Sequence, residues 1–211
     1  MTDKAQRIGI LGGAFDPPHL THAALAHTAV AQLQLDKLLV IPTGQAWHKT
    51  RALTASEHRV AMATMAFAAS THVVVDPREV LRPGPSYTVD TLRELKAQYP
   101  AADFFLLLGA DQVRALPSWK LWHELLKYAT ICVALRAVEQ SQNGLSGVND
   151  FAALCQPIVA AGGKVLQLAL PSNPQSSTQI RQLAAHRTAL DGMVNPAVAS
   201  YIAQHHLYLE P

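Results

Sequence analysis

The hydrophobic residues of this 211-residue chain fall into short compact runs that alternate with longer segments of helical period. Most of the runs are apolar throughout, which is typical of strands buried on both faces of a sheet. We predict strands at Ile8–Leu11, Lys37–Ile41, His72–Val75, Phe104–Leu108, Ile131–Leu135 and Val165–Leu168. We predict helices at about 22–34, 55–69, 88–98, 119–128, 150–161, 177–186 and 196–205. This alternation indicates an α/β fold with a mostly parallel sheet and right-handed crossovers.

Local signals mark the ends of some elements. Thr54 and Glu57 have the spacing of a capping box, which predicts Thr54 as the N-cap of the second helix. Pro100 is expected to close the third helix. The segment from about 138 to 150 is rich in Gln, Ser, Asn and Gly, which indicates a surface loop.

Composition narrows the class of protein. Apolar residues make up 49% of the chain, which argues against disorder, and 17 basic against 15 acidic residues leave no nucleic-acid-binding signature. Cys132 and Cys155 lie outside any CxxC spacing and are expected to be buried in a reducing compartment. With no signal peptide and no stretch of ~18 apolar residues, we expect a cytoplasmic protein. We expect one domain over 1–211, with a small helical part at about 177–211.

The first predicted strand leads into the segment Gly12-Gly13-Ala14-Phe15-Asp16-Pro17-Pro18-His19-Leu20-Thr21-His22. Paired glycines let the backbone approach a polyphosphate, and the start of a helix favours negative charge. In an open α/β sheet, ligands gather beyond the carboxyl end of such a strand. The two histidines are three residues apart, so they can point the same way and donate hydrogen bonds to phosphoryl oxygens.

The segment lacks the patterns of several other kinds of site. It contains neither the G-x-G-x-x-G fingerprint nor a Walker A run. A zinc pair would need further ligands, and no other His or Cys lies nearby in sequence, so we expect no metal held by protein ligands. Histidines with a structural function remain the alternative to phosphate chemistry.

Five segments, in order along nearly the whole chain, resemble the nicotinate mononucleotide adenylyltransferases, a branch of the HxGH nucleotidyltransferases. The segments are Gly12–His22 (GGTFDPxHxGH), Pro85–Leu92 (PSYTxxTL), Gly109–Asp111 (GxD), Gln175–Arg181 (ISSTxIR) and the tail Pro196–Tyr208. The resemblance implies a Rossmann-like, doubly wound α/β fold with flanking helices. It also implies that nicotinate mononucleotide attacks the α-phosphorus of ATP, with Mg²⁺, to give deamido-NAD and pyrophosphate without a covalent enzyme intermediate.

The resemblance also assigns site residues by position. Those expected to bind ATP are Gly12, Gly13, Ala14, Phe15, His19, His22, Asp111, Ser177, Thr178 and Arg181. Within this set, the residues expected to take part in catalysis are His19, His22 and Arg181. The Ser-Ser-Thr run also suits the start of a helix, where Ser177 alone would pass for an ordinary N-cap, and Arg181 adds a planar, permanently charged fork.

The residues expected to bind nicotinate mononucleotide are Thr43, His48, Lys49, Tyr87, Thr88, Asp111 and Trp119. An aromatic face suits stacking on a pyridine ring. Trp119 and Trp122 are predicted on one helix, with Trp122 the more suited to the core. We expect ATP and nicotinate mononucleotide as partners, with no nucleic acid and no membrane, and leave assembly into a homo-oligomer open.

One departure and two rival functions remain. Thr21 stands where the family usually has glycine, which is plausible only if this position is already helical.

Two other functions are alternatives to nicotinate mononucleotide adenylyl transfer. One is an enzyme of the same fold acting on nicotinamide mononucleotide or phosphopantetheine, and the other is a non-catalytic nucleotide-binding regulator. Retention of His19, His22 and Arg181 argues against the regulator, because binding alone would tolerate their loss.

Overall fold

The computed structural model describes residues 5–45, 52–135, 147–170 and 175–209. All six predicted strands are present within these ranges, each within two residues of its predicted ends. They are β1 (Arg7–Gly13), β2 (Lys37–Pro42), β3 (Val73–Val75), β4 (Asp103–Gly109), β5 (Ala129–Leu135) and β6 (Val165–Ala169). They form one sheet in the order β3-β2-β1-β4-β5-β6, and every pairing is parallel. The predicted Rossmann-like α/β fold is confirmed.

Helices lie between the strands and after the last of them. They are α1 (Leu20–Gln32), α2 (Ser56–Phe67), α3 (Arg78–Leu81), α4 (Thr88–Gln98), α5 (Ala110–Ala115), α6 (Trp122–Tyr128), α7 (Gly147–Ala160), α8 (Ser177–Ala185) and α9 (Pro196–Gln204), with a 3₁₀ turn at Leu116–Ser118. None of the helices within the described ranges has both the length and the apolar character needed to cross a bilayer.

Apolar packing covers both faces of the sheet. On one face, Ile10 of β1 and Leu106 of β4 pack with Leu92 of α4 and Leu125 of α6. On the other face, the neighbouring strand positions pack against α1 and α2. Because side chains alternate along a strand, continuous apolar runs are what a sheet covered on both sides requires.

A third apolar cluster joins the end of the chain to α2. Ile180 of α8 and Val198 and Ile202 of α9 are buried together with Met62 of α2. The helix α2 therefore has one side against the sheet and another against the C-terminal helices. This packing brings the last part of the chain close to the turn that follows β1.

Several predicted helix boundaries were wrong. Ala55, not Thr54, is the N-cap of α2, and the Thr54 carbonyl instead accepts a hydrogen bond from Arg59 Nε at 2.8 Å. The predicted helix at 119–128 begins only at Trp122, because Leu121 adopts a left-handed φ of 52°. Residues 147–150, predicted as loop, are the first turn of α7.

Both cysteines are buried and free, as predicted. Burial raises the pKa of the Cys132 thiol to about 12 and also raises the pKa of Cys155. Because the thiolate is the reactive form, neither cysteine is a nucleophile near neutral pH.

Candidate active site

The strand order reverses direction between β1 and β4, where the chain leaves the two strands on opposite sides of the sheet. In open α/β sheets this switch point is the usual ligand crevice. Two cavities lie there, with volumes of about 390 and 510 Å³, and they share one wall. The shared wall consists of Gly12, Gly13, Ala14, Asp111 and Gln112.

The larger cavity collects most of the residues predicted to bind ATP. Its wall contains Gly12, Gly13, Ala14, Phe15, His19, His22, Asp111 and Ser177. Thr178 and Arg181 are described by the structure but are not part of this wall. Sequence reasoning missed Gln112, which follows Asp111 directly and lines both cavities.

The two histidines are held together at the start of α1. His19 is the N-cap residue, and its backbone N–H donates to His22 Nδ1 at 3.2 Å. The imidazole rings stack with their centroids 3.8 Å apart. Because His22 Nδ1 accepts a hydrogen bond, the neutral ring carries its proton on Nε2, where it can be donated. Thr21 lies within the first turn of α1, which satisfies the condition set for a β-branched residue there.

The Phe15 ring packs against the histidine pair through His22. Its ring is buried and meets His22 edge-on at 5.1 Å between centroids, with Phe67 on another side at 5.9 Å. The φ of Phe15 is 49°, a left-handed conformation that is rare for a bulky residue. A Cβ at Gly13 would lie 3.0 Å from the Phe15 ring. Glycine at this position therefore leaves room for the ring to pack against the loop.

The start of α8 is tied to the same loop. Ser176, not Ser177, is the N-cap of α8, and its side chain accepts a hydrogen bond from Gln179 N at 3.2 Å. Ser177 Oγ instead donates to the carbonyl of Pro17 at 2.9 Å. The predicted pairing of the two motifs is therefore present as a direct contact between α8 and the loop before α1.

Arg181 extends this contact. Its Nη1 donates to the carbonyl of Asp16 at 2.8 Å, and its Nη2 donates to Thr178 Oγ1 at 3.2 Å. The guanidinium thus joins the loop to the first turn of α8, next to the wall formed by Ser177.

The smaller cavity collects the described residues predicted to bind the mononucleotide. Its wall contains Thr43, Tyr87, Thr88, Asp111 and Trp119. His48 and Lys49, predicted for the same site, lie outside the described residues. Trp119 follows the 3₁₀ turn instead of sharing a helix with Trp122 as predicted, and this places its ring in the wall while Trp122 begins α6.

Lys120, a charged residue of this cavity, was not predicted. Lys120 Nζ lies 4.0 Å from the centroid of the Tyr87 ring and 3.9 Å from Asp90 Oδ2. Among the described residues of the wall, Lys120 is the only lysine or arginine. Its place beside Trp119 in the sequence is a signal that could have been used.

Glu79 is a buried carboxyl in the same wall. Thr91 Oγ1 donates to Glu79 Oε1 at 2.8 Å, and Ser86 Oγ donates to the Glu79 carbonyl at 3.3 Å. Burial raises the pKa of Glu79, opposed by the hydrogen bond from Thr91. Glu79 belongs to the helix α3, whose 4 residues are too few to show a helical period in the sequence.

Comparison with known proteins agrees with this geometry. The cytidylyltransferase-like family model matches residues 10–183. A "probable nicotinate-nucleotide adenylyltransferase" of Albidiferax ferrireducens is 53% identical, over 96% of this chain and 98% of the relative, and one of Methylibium petroleiphilum is 41% identical, over 98% and 94%. The solved nicotinic acid mononucleotide adenylyltransferase of Plasmodium falciparum, complexed with NaAD, shares the fold at 20% identity, with a TM-score of 0.74 over 96% of this chain and 97% of that one. The chain belongs to the cytidylyltransferase-like family and, within it, to the nicotinate-nucleotide adenylyltransferases.

Proposed function

We propose that this protein transfers the adenylyl group of ATP to nicotinate mononucleotide, giving deamido-NAD and pyrophosphate. The observation that carries the proposal is the pair of cavities that meet at Gly12–Ala14 and Asp111. One cavity has hydrogen-bond donors suited to phosphates, and the other has an aromatic wall suited to a pyridine ring. Two substrates bound side by side would meet at the shared wall, which is what direct transfer requires.

On the ATP side, the mechanism is one of positioning and charge stabilisation. A 5′-phosphate oxygen of nicotinate mononucleotide attacks the α-phosphorus, an O–P bond forms, and the bond from the α-phosphorus to the bridging oxygen breaks as pyrophosphate leaves. His22, whose Nε2 carries the proton in the tautomer fixed by His19, stabilises the charge on the α-phosphate oxygens. His19, Ser177, Thr178 and Arg181 take the remaining phosphates, with Arg181 turning from its loop contacts toward them.

Any Mg²⁺ in this site would be bound to ATP as Mg-ATP. Magnesium prefers oxygen ligands, keeps several waters and is usually held by substrate phosphates with one or two carboxylates. Asp111 offers a carboxylate in the wall of both cavities. Among the described residues, His, Cys, Asp and Glu form no cluster of three or more that could hold a metal. This donor set fits a metal carried by the triphosphate, whose charge neutralisation assists the transfer.

On the mononucleotide side, Trp119 and Tyr87 receive the pyridine ring. Thr43 and Thr88 add hydroxyl and backbone hydrogen-bonding groups, and we expect the Asp111 carboxylate to accept a hydrogen bond from a ribose hydroxyl. Lys120 brings a positive charge to this wall. A nicotinate ring carries a carboxylate where nicotinamide carries a neutral amide, so this charge favours nicotinate mononucleotide over the alternative acceptor.

Labelled ATP tests the proposed reaction. With ATP labelled at the α-phosphate, the label should appear in deamido-NAD and none in pyrophosphate. With a chiral α-phosphorothioate, direct transfer inverts the configuration at phosphorus, because a single in-line displacement takes place. Retention of configuration would contradict direct transfer, since it requires a covalent enzyme intermediate.

A further inference from the structure

A partly buried hydrogen bond connects the two ends of the chain beside the larger cavity. The phenol of Tyr208 donates to Asp16 Oδ1 at 2.8 Å, although the two residues are 192 positions apart. Asp16 is 1% exposed and also accepts from the backbone N–H of Thr54 through Oδ2 at 3.3 Å. Burial and the Asp16 charge raise the pKa of Tyr208, so its phenol keeps the donated proton at neutral pH.

Backbone strain is present at both ends of this connection. Phe15, immediately before Asp16, has a φ of 49°, and Tyr208 has a φ of 66°. Large side chains rarely adopt this left-handed region, and such residues persist only where surrounding contacts hold them. The Tyr208–Asp16 hydrogen bond is a contact of this kind.

Arg59 fixes the other side of the same turn. This buried residue donates from Nη1 to the carbonyls of Ala14, at 3.0 Å, and Thr43, at 2.7 Å. Arg59 Nε donates to the carbonyl of Thr54. The backbone N–H of Thr54 in turn donates to the Asp16 carboxylate. Burial lowers the pKa of Arg59 and the Asp16 charge opposes this effect, so the two buried charges stabilise each other.

We propose that Tyr208 is a positioning residue, whose phenol holds Asp16 and thereby the turn from Ala14 to His19 in the conformation that receives the ATP phosphates. The inference rests on the proposed function only in taking ATP as the ligand of the larger cavity. Ala14, Phe15 and His19 line that cavity, whereas Tyr208 lines neither this cavity nor the smaller one. Its phenol reaches the turn through the hydrogen bond to Asp16.

The contacts predict which kinetic parameter changes. Removing the phenol takes a hydrogen bond from a buried carboxylate and leaves the strained turn with one restraint fewer. The turn faces the ATP cavity, and Thr43, at the edge of the mononucleotide cavity, stays fixed by Arg59. We therefore expect weaker ATP binding and a lower kcat, with the KM for nicotinate mononucleotide unchanged.

Tyr208→Phe tests this inference, with Tyr201→Phe as the matched control. Tyr201 belongs to α9, and its phenol is hydrogen-bonded to His58 Nδ1 at 2.9 Å, a contact that involves no residue of the turn from Ala14 to His19. The full-length variants are compared by calorimetric titration with a non-hydrolysable ATP analogue, by steady-state kinetics in both substrates and by thermal unfolding. Tyr208→Phe should weaken analogue binding and lower kcat by about tenfold each, with the KM for nicotinate mononucleotide within about twofold of wild type. Tyr201→Phe should change analogue binding and kcat by less than about twofold.

Several outcomes would overturn the inference. Unchanged analogue binding in Tyr208→Phe, or an equal loss in both variants, would leave Tyr208 with a purely structural function. A change confined to the melting temperature would do the same. If wild type binds the analogue but does not convert nicotinate mononucleotide, the proposed function fails, and the comparison of analogue binding between variants still decides the function of Tyr208.

Discussion

His22 is the side chain on which the proposed chemistry depends most. The His19 backbone N–H fixes its tautomer, the His19 ring stacks on it, and Phe15 contacts its edge. A donor restrained in this way is preorganised, and preorganised donors stabilise developing charge without moving during the reaction. The spacing of the histidines predicted that they would share a site. The donor to His22 Nδ1 is the backbone N–H of His19, so side-chain identities alone did not reveal this hydrogen bond.

Replacement of His22 by alanine measures this contribution. We expect kcat to fall by about 10²-fold or more, because a contact to the transition state is lost. The melting temperature should change little, because the substitution removes little core packing. His27→Ala is the matched control, since His27 lies exposed on the same helix α1. A kcat near that of wild type for His22→Ala, measured by pyrophosphate release, would contradict the function assigned to His22.

Lys120 is the residue on which acceptor preference is expected to depend. In Lys120→Met, the ratio of kcat/KM for nicotinate over nicotinamide mononucleotide should fall about fivefold, because a partly exposed charge pair contributes about 1 kcal/mol. Lys127→Met, at an exposed lysine of α6, should leave the ratio unchanged. An equal loss for both acceptors would place Lys120 against the phosphate that they share and not against the carboxylate.

At the scale of elements, the strands were predictable and the helix starts were less so. A strand buried on both faces is apolar at every position, and this signal does not depend on its partners. Helix starts depend on features beyond the local pattern: the Thr54 N–H donates to Asp16 Oδ2, 38 residues away, and Leu121 ends the predicted helix with a left-handed φ. The helices α3 and α5, with 4 and 6 residues, are too short to show a period.

Substitution of the two serines at the start of α8 should affect different properties: Ser176 contributes to stability and Ser177 to activity. Ser176→Ala removes the N-cap and should lower the free energy of unfolding by about 1 kcal/mol while kcat stays near that of wild type. Ser177→Ala removes the hydrogen bond to the Pro17 carbonyl and a group in the wall of the ATP cavity. It should raise the KM for ATP several-fold. Denaturant unfolding and steady-state kinetics on both variants check this, and the reverse assignment of effects would contradict the corrected N-cap.

At the scale of the whole molecule, the site is assembled from segments far apart in sequence. The motif resemblance indicated that the segment after β1 and the start of α8 act together, and the contact between Ser177 and Pro17 joins them directly. It did not indicate that Tyr208 reaches Asp16, or that Arg59 joins the turns after β1 and β2. These bonds depend on how α2 packs between the sheet and the C-terminal helices, which no local pattern encodes.

The most direct test of the account is a comparison of acceptors with the wild-type protein. Purified enzyme and Mg-ATP are supplied separately with nicotinate mononucleotide, nicotinamide mononucleotide and phosphopantetheine. Pyrophosphate release gives kcat/KM, and mass measurement identifies the product. We expect the highest kcat/KM with nicotinate mononucleotide, and deamido-NAD as the product. Robust turnover only with one of the other acceptors, or with none of the three, would contradict it.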